Sequence, residues 1–124
     1  MRSQNKQYVR WGDLDAFGHV NNATYLVYAQ EARYTWSKMH EMVVARAEVD
    51  YLVPIYEGGR FYELNLWVDS IGNSSFVVGY EMVGTDGVIH AKMTSVQVMV
   101  SLETKKSRPL SDSEREFLSK YLKD

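Results

Sequence analysis

The 124-residue sequence predicts an α+β fold in which an antiparallel sheet curls around one long helix. Three observations carry that expectation. A single helical stripe runs through Tyr25, Tyr28, Ala29, Ala32, Trp36 and Met39 at three- and four-residue steps. Four later segments are rich in strand-forming residues, the first two with clear alternation of apolar and polar side chains. Turn signals at Gly58-Gly59, Gly72-Asn73 and Asp86-Gly87 separate those segments.

In chain order, residues 7–11 read as a short first strand and residues 12–18 as a loop, with Asn21 or Asn22 placed to cap the helix. The small Ala29 and Ala32 between large aromatics let the helix lie close to a sheet, and Gln30, Arg33 and Lys38 fall on its opposite face. Residues 43–53 then alternate, with Val43, Ala45, Ala47, Val49, Tyr51 and Val53 on one face and Arg46, Glu48 and Asp50 on the other; Pro54 ends the run. Residues 61–70, 76–83 and 88–102 supply three more strands, and the four in succession predict a meander. Ser111 to Glu114 has the pattern of a capped helix start, which predicts a short terminal helix over 114–122.

One domain over residues 1–124 accommodates this plan, and 45% hydrophobic residues supply its core. A net charge of -2 with interspersed signs lacks the basic stripe that nucleic-acid binding requires, so no nucleic-acid partner is expected. The absence of cysteine excludes disulfides, thiolate metal sites and cysteine nucleophiles, and fits a cytoplasmic protein. No apolar run reaches the length of a membrane span, and the N-terminus lacks the apolar stretch of a leader peptide. No membrane partner is therefore expected.

The chemistry concentrates in Asp13-Leu14-Asp15-Ala16-Phe17-Gly18-His19-Val20-Asn21-Asn22-Ala23-Thr24-Tyr25. Two carboxylates and an imidazole stand just ahead of the helix start, where unpaired backbone N–H groups and partial positive charge can stabilise an oxyanion. A carboxylate there can attack a carbonyl or activate water. Other chemistries lack their signatures: no G-x-S-x-G, Walker A, G-x-G-x-x-G or H-E-x-x-H pattern occurs, and His19, His40 and His90 are too dispersed to indicate a metal.

The stretch resembles the D-x-D-x-x-G-H-V-N-N-x-x-Y signature of the 4-hydroxybenzoyl-CoA thioesterase-like branch of the hotdog-fold superfamily. Glu31-Ala32-Arg33, Val49-Asp50-Tyr51 before Pro54, and residues 72–75 and 104–109 extend the likeness over the whole chain. It departs at Met39-His40-Glu41-Met42, where the family carries a longer linker. The resemblance implies a hotdog fold and hydrolysis of an acyl-CoA thioester to acid and CoA, without cofactor or metal, by a homodimer or homotetramer with shared sites. Acyl carrier protein is the alternative thiol carrier. A non-catalytic hotdog protein that binds acyl thioesters or lipids, or serves as a scaffold, is the rival reading; a hydratase or dehydratase is weaker, because the Asp-x-Asn-Pro sequence is missing.

By the same resemblance Asp15 is the nucleophile or general base, the Asn22 backbone N–H polarises the carbonyl, and His19 bonds the substrate carbonyl or the loop. Gly18, Val20, Asn21 and Tyr25 are expected to contact substrate, Ser74 and Ser75 the pantetheine arm, and Lys105, Lys106 and Arg108 the CoA phosphates. The residues alone also allow plainer roles. Asp15 can satisfy N–H groups before a helix, Tyr25 can be core, and the basic run can be a solvated connection. Asp13 is read as mostly structural, and Glu31 as a reserve carboxylate paired with Arg33 or a neighbouring subunit.

Overall fold

A computed structural model describes residues 1–123. The chain forms β1 (Ser3–Val9), a 3-10 turn (Trp11–Asp13), α1 (Thr24–Ser37), β2 (Met42–Tyr51), β3 (Arg60–Ile71), β4 (Ser75–Val83), β5 (Ile89–Met99) and α2 (Asp112–Ser119). The strands make one antiparallel sheet in the order β1-β3-β4-β5-β2, and its inner face wraps α1 in the expected hotdog arrangement.

Three strand expectations are corrected. Only β3, β4 and β5 form a meander; β2 lies at the far edge, paired to β5. After Pro54 the chain does not turn back on β2. Instead the Leu52 and Val53 N–H groups both donate to the His90 carbonyl at 2.9 and 3.1 Å, and residues 52–59 span the sheet end to begin β3. The alternation of β2 is also interrupted. Its register with β5 skips Ala45, passing from Val44 opposite Gln97 to Arg46 opposite Val96, so Met42 and Val44 share a face with Ala47, Val49 and Tyr51 while Val43 joins the outer face. β1 begins at Ser3, earlier than expected, because a polar edge strand shows no apolar alternation.

The core forms where the stripe of α1 meets Tyr62, Leu64, Leu66 and Val68 of β3, Phe76, Val78, Tyr80 and Met82 of β4, and Ala91, Met93 and Met99 of β5. Each such large side chain contributes about 1.5–3 kcal/mol by leaving water. Trp36 carries the core onward to Phe117 and Tyr121, with ring centroids at 5.2 and 5.3 Å. Ser111 and Glu114 form the reciprocal cap that fixes the start of α2, at Asp112 rather than at residue 114. Arg33, expected on the exposed face of α1, is only 8% exposed and donates to the Tyr80 hydroxyl at 2.9 Å. Among the described residues no helix is long and apolar enough to cross a membrane.

Candidate active site

The loop between β1 and α1 holds its two aspartates in different surroundings. Asp13 is buried: one oxygen accepts the Arg10 guanidinium at 3.0 and 3.2 Å, and the other accepts the Arg10 backbone N–H at 3.0 Å and the Tyr28 hydroxyl at 2.6 Å. Burial pushes this carboxyl up, but the bonds from Tyr28 and Arg10 and the Arg10 charge outweigh it and hold it below the usual range. Burial and the bond to Asp13 drive the Tyr28 phenol well up in turn. Asp13 is thus spent on joining the loop to the helix, the structural role expected of it.

Asp15 is committed through its backbone and one oxygen. Its N–H donates to the His19 carbonyl at 2.9 Å, its carbonyl accepts from Gly18 at 3.0 Å, and Oδ1 accepts the Phe17 N–H at 2.9 Å. Oδ2 has no partner among the described residues. His19 Nδ1 stands 3.9 Å from Asp15 Oδ1, too far for a hydrogen bond, and 3.2 Å from the Val20 carbonyl. Since a carbonyl only accepts, the neutral ring carries its proton on Nδ1 and leaves Nε2 as acceptor. Gly18 has φ 82°, and a Cβ there would meet nothing within 4 Å, so its role is conformational rather than a close approach.

Around the start of α1 the expected cap is corrected. Ala23 is the N-cap, with helical backbone and no side-chain bond; Asn21 instead closes a turn, its side-chain oxygen accepting the Ala23 N–H at 3.0 Å and its carbonyl the Thr24 N–H at 3.0 Å. The Asn22 carbonyl accepts the Tyr51 hydroxyl at 2.8 Å, while the Asn22 N–H has no partner among the described residues. Asn22 lines a pocket of about 240 Å³ with His19, Val20, Tyr25, Tyr51, Val53 and Pro54. Val20 is buried and donates to the Ile55 carbonyl at 2.9 Å. Tyr25 is buried edge-on to Tyr28 and Tyr51, and burial pushes its phenol up to about 12. Tyr51 was not identified from the sequence as a site residue; its signals were its place at the end of an alternating strand and in the Val49-Asp50-Tyr51 part of the family resemblance.

The remaining expected contacts lie elsewhere. Ser74 and Ser75 stand at the far end of β3, roughly 35–40 Å along the strand from the Asp15 end at about 3.3 Å per residue. The segment holding Lys105 and Arg108 packs at that same far end, the Arg108 N–H donating to the Met99 carbonyl at 3.0 Å. Arg108 is already paired with Glu114 at 2.9 and 3.0 Å and lies 3.6 Å from Glu41. Glu31 makes no ion pair with Arg33, since residues two apart on a helix do not face each other. A larger cavity of about 690 Å³ on the outer sheet face is lined by both signs of charge, with Arg2 on Glu81 and Lys123 on Asp69. Among the described residues no group of three or more histidines or acids is placed to hold a metal.

Residues 9–118 match the model of the thioesterase-like superfamily. The chain belongs to that superfamily. This thioesterase-like protein is 33% identical over 125 residues to the uncharacterized protein YsmA of Bacillus subtilis, across 92% of the chain and 83% of the relative. A predicted thioesterase from Bacillus stearothermophilus superposes with a TM-score of 0.89 at 27% identity, covering 100% of this chain and 98% of that one. A thioesterase from Thermus thermophilus, solved with coenzyme A and Zn, superposes with a TM-score of 0.85 at 31% identity over 95% and 92% of the two chains. The 1,4-dihydroxy-2-naphthoyl-CoA thioesterase of Synechocystis, 18% identical, shares the fold with a TM-score of 0.85.

Proposed function

We propose that this protein is an acyl-CoA thioesterase in which Asp15 does the chemistry and the Asn22 N–H polarises the thioester carbonyl. The observation that carries the reading is that Asn22, whose N–H has no partner among the described residues, lines a pocket at the start of α1, with an uncommitted Asp15 oxygen on the adjoining loop. A thiolate leaves readily, so a carboxylate suffices, acting on the carbonyl carbon directly or taking a proton from the attacking water. His19 borders the pocket through an imidazole whose Nε2 can accept, and Tyr25 with Val20 forms the wall. The coenzyme A bound to the Thermus relative supports CoA as the thiol carrier.

The reading includes a homodimer. β2 is a ten-residue edge strand with Val43, Val44 and Tyr51 about half exposed, which invites pairing with a second copy. Antiparallel pairing of two β2 strands would turn the far end of one copy toward the Asp15 end of the other, giving Ser74, Ser75 and Lys105 a route to a shared site. Thiol release from a panel of acyl-CoAs tests the function. Sustained turnover abolished by Asp15→Asn supports it; binding without release by the unaltered protein would favour a non-catalytic acyl-thioester binder.

A further inference from the structure

Arg33 carries a buried charge that no carboxylate answers. It is 8% exposed, and no Asp or Glu lies within ion-pair distance among the described residues. Glu41, close in sequence, is turned to Arg108 instead. Of its five N–H donors one is used, to the Tyr80 hydroxyl. The Ser95 hydroxyl donates to Gln97 Oε1 at 2.6 Å, so the Tyr80 hydroxyl donates to Ser95 at 2.6 Å, and both hydroxyl protons point away from Arg33. The fully enclosed orphan side-chain atoms among the described residues are Trp36 Nε1 and Asn65 Oδ1, so the unused N–H groups of Arg33 are not sealed in. Arg33 lines a pocket of about 150 Å³ between the C-terminal half of α1 and the start of β2, whose lining also includes Gln30, His40 and Gln97 but no acid. Removing a guanidinium from water without an anion is unfavourable, and its planar fork suits a carboxylate.

We propose that the pocket enclosing Arg33 binds a carboxylate, and that the hydrolase takes acyl groups ending in one, ω-carboxyacyl thioesters. The substrate part of this proposal rests on the thioesterase reading and its dimer. Within one chain Arg33 lies about 16 Å along α1 from Asn22, at 1.5 Å per residue. The Arg33 pocket is lined by Met42, Val43 and Val44 at the start of β2, and the Asn22 pocket by Tyr51 at its end. Antiparallel pairing of two β2 edges therefore sets the Arg33 pocket of one copy beside the Asn22 pocket of the other, and an acyl group held at Asn22 can direct its far end to the partner's guanidinium.

The test compares acyl groups of equal length with and without the terminal acid, using the intact protein. Glutaryl-CoA should be hydrolysed with at least tenfold higher kcat/KM than pentanoyl-CoA, and adipyl-CoA likewise over hexanoyl-CoA. In Arg33→Gln that ratio should collapse toward one, with Arg33→Lys intermediate. Glutarate titrated calorimetrically should bind the unaltered protein and lose at least tenfold in affinity in Arg33→Gln. Equal kcat/KM for the paired substrates, with no glutarate binding, overturns the proposal. If no acyl-CoA releases thiol, the hydrolase reading fails and the substrate claim with it, while the glutarate titration still decides the pocket. If Arg33→Gln only lowers the dimer mass, with neither glutarate binding nor acid preference in the unaltered protein, a carboxylate of the second copy fills the pocket and the proposal falls. Should Arg33→Gln not fold, substrate preference and glutarate competition in the unaltered protein remain decisive.

Discussion

Asp13 and Asp15 stand two positions apart in one loop and differ in almost every physical respect. The inner side of the loop holds Asp13 under four hydrogen bonds from Arg10 and Tyr28; the outer side leaves Asp15 with one oxygen anchored and the other unclaimed. The difference teaches that one short acidic motif can divide its labour. One carboxylate is consumed in fixing the loop to α1, and that rigidity leaves its neighbour available for chemistry.

The sharpest way to break the comparison is to neutralise each acid in turn. Asp15→Asn should fold as before and lose about 100-fold or more in thiol release, the usual scale of such a contribution. A near-normal rate, with Glu31→Gln inactive instead, would move the chemistry to the helix. Asp13→Ala should do the reverse at the level of folding, lowering stability by about 2 kcal/mol in urea titrations because the buried Tyr28 hydroxyl loses its acceptor.

Acid sharpens the same contrast. The Arg108 side chain, opposed by partial burial and aided by Ser111, holds Glu114 down to about 2 from an ordinary 4.5, and Asp13 is also held low. A depressed carboxyl stabilises the fold above its unfolded pKa, and that stabilisation is lost as pH falls through the folded value. Stability should therefore decline from about pH 4.5 toward pH 2, and Glu114→Gln should flatten that slope in thermal melts. The smallest effect expected is that of Gly18→Ala, about 1 kcal/mol from its left-handed backbone, since no atom crowds the position.

The features legible in the sequence were those set by local periodicity. The stripe of α1 and the alternation of β3 recur in the burial of Tyr25, Tyr28, Ala29 and Ala32 and of Tyr62, Leu64, Leu66 and Val68. The features that escaped depend on distant partners. The skipped Ala45 is visible only against β5, the Asn21 turn competes with a cap of the same composition, and the burial of Arg33 requires the Tyr80 hydroxyl across the core. Within the site the motif was legible because it is contiguous. Tyr51 was not, because its contact with Asn22 joins residues far apart in the chain.

That contact makes the sheet margin and the helix start one mechanical unit. The Tyr51 phenol is a rigid rod, rooted in the last residue of β2 and fastened to the Asn22 carbonyl. A shift of the margin strand is therefore passed to the neighbouring backbone amide instead of being absorbed by a flexible side chain. In a site of this type an offset of about 1 Å costs on the order of 100-fold in rate. The strand that closes the sheet thereby acts as a gauge for the start of α1, and its seating sets the alignment of the Asn22 backbone on which the proposed mechanism relies.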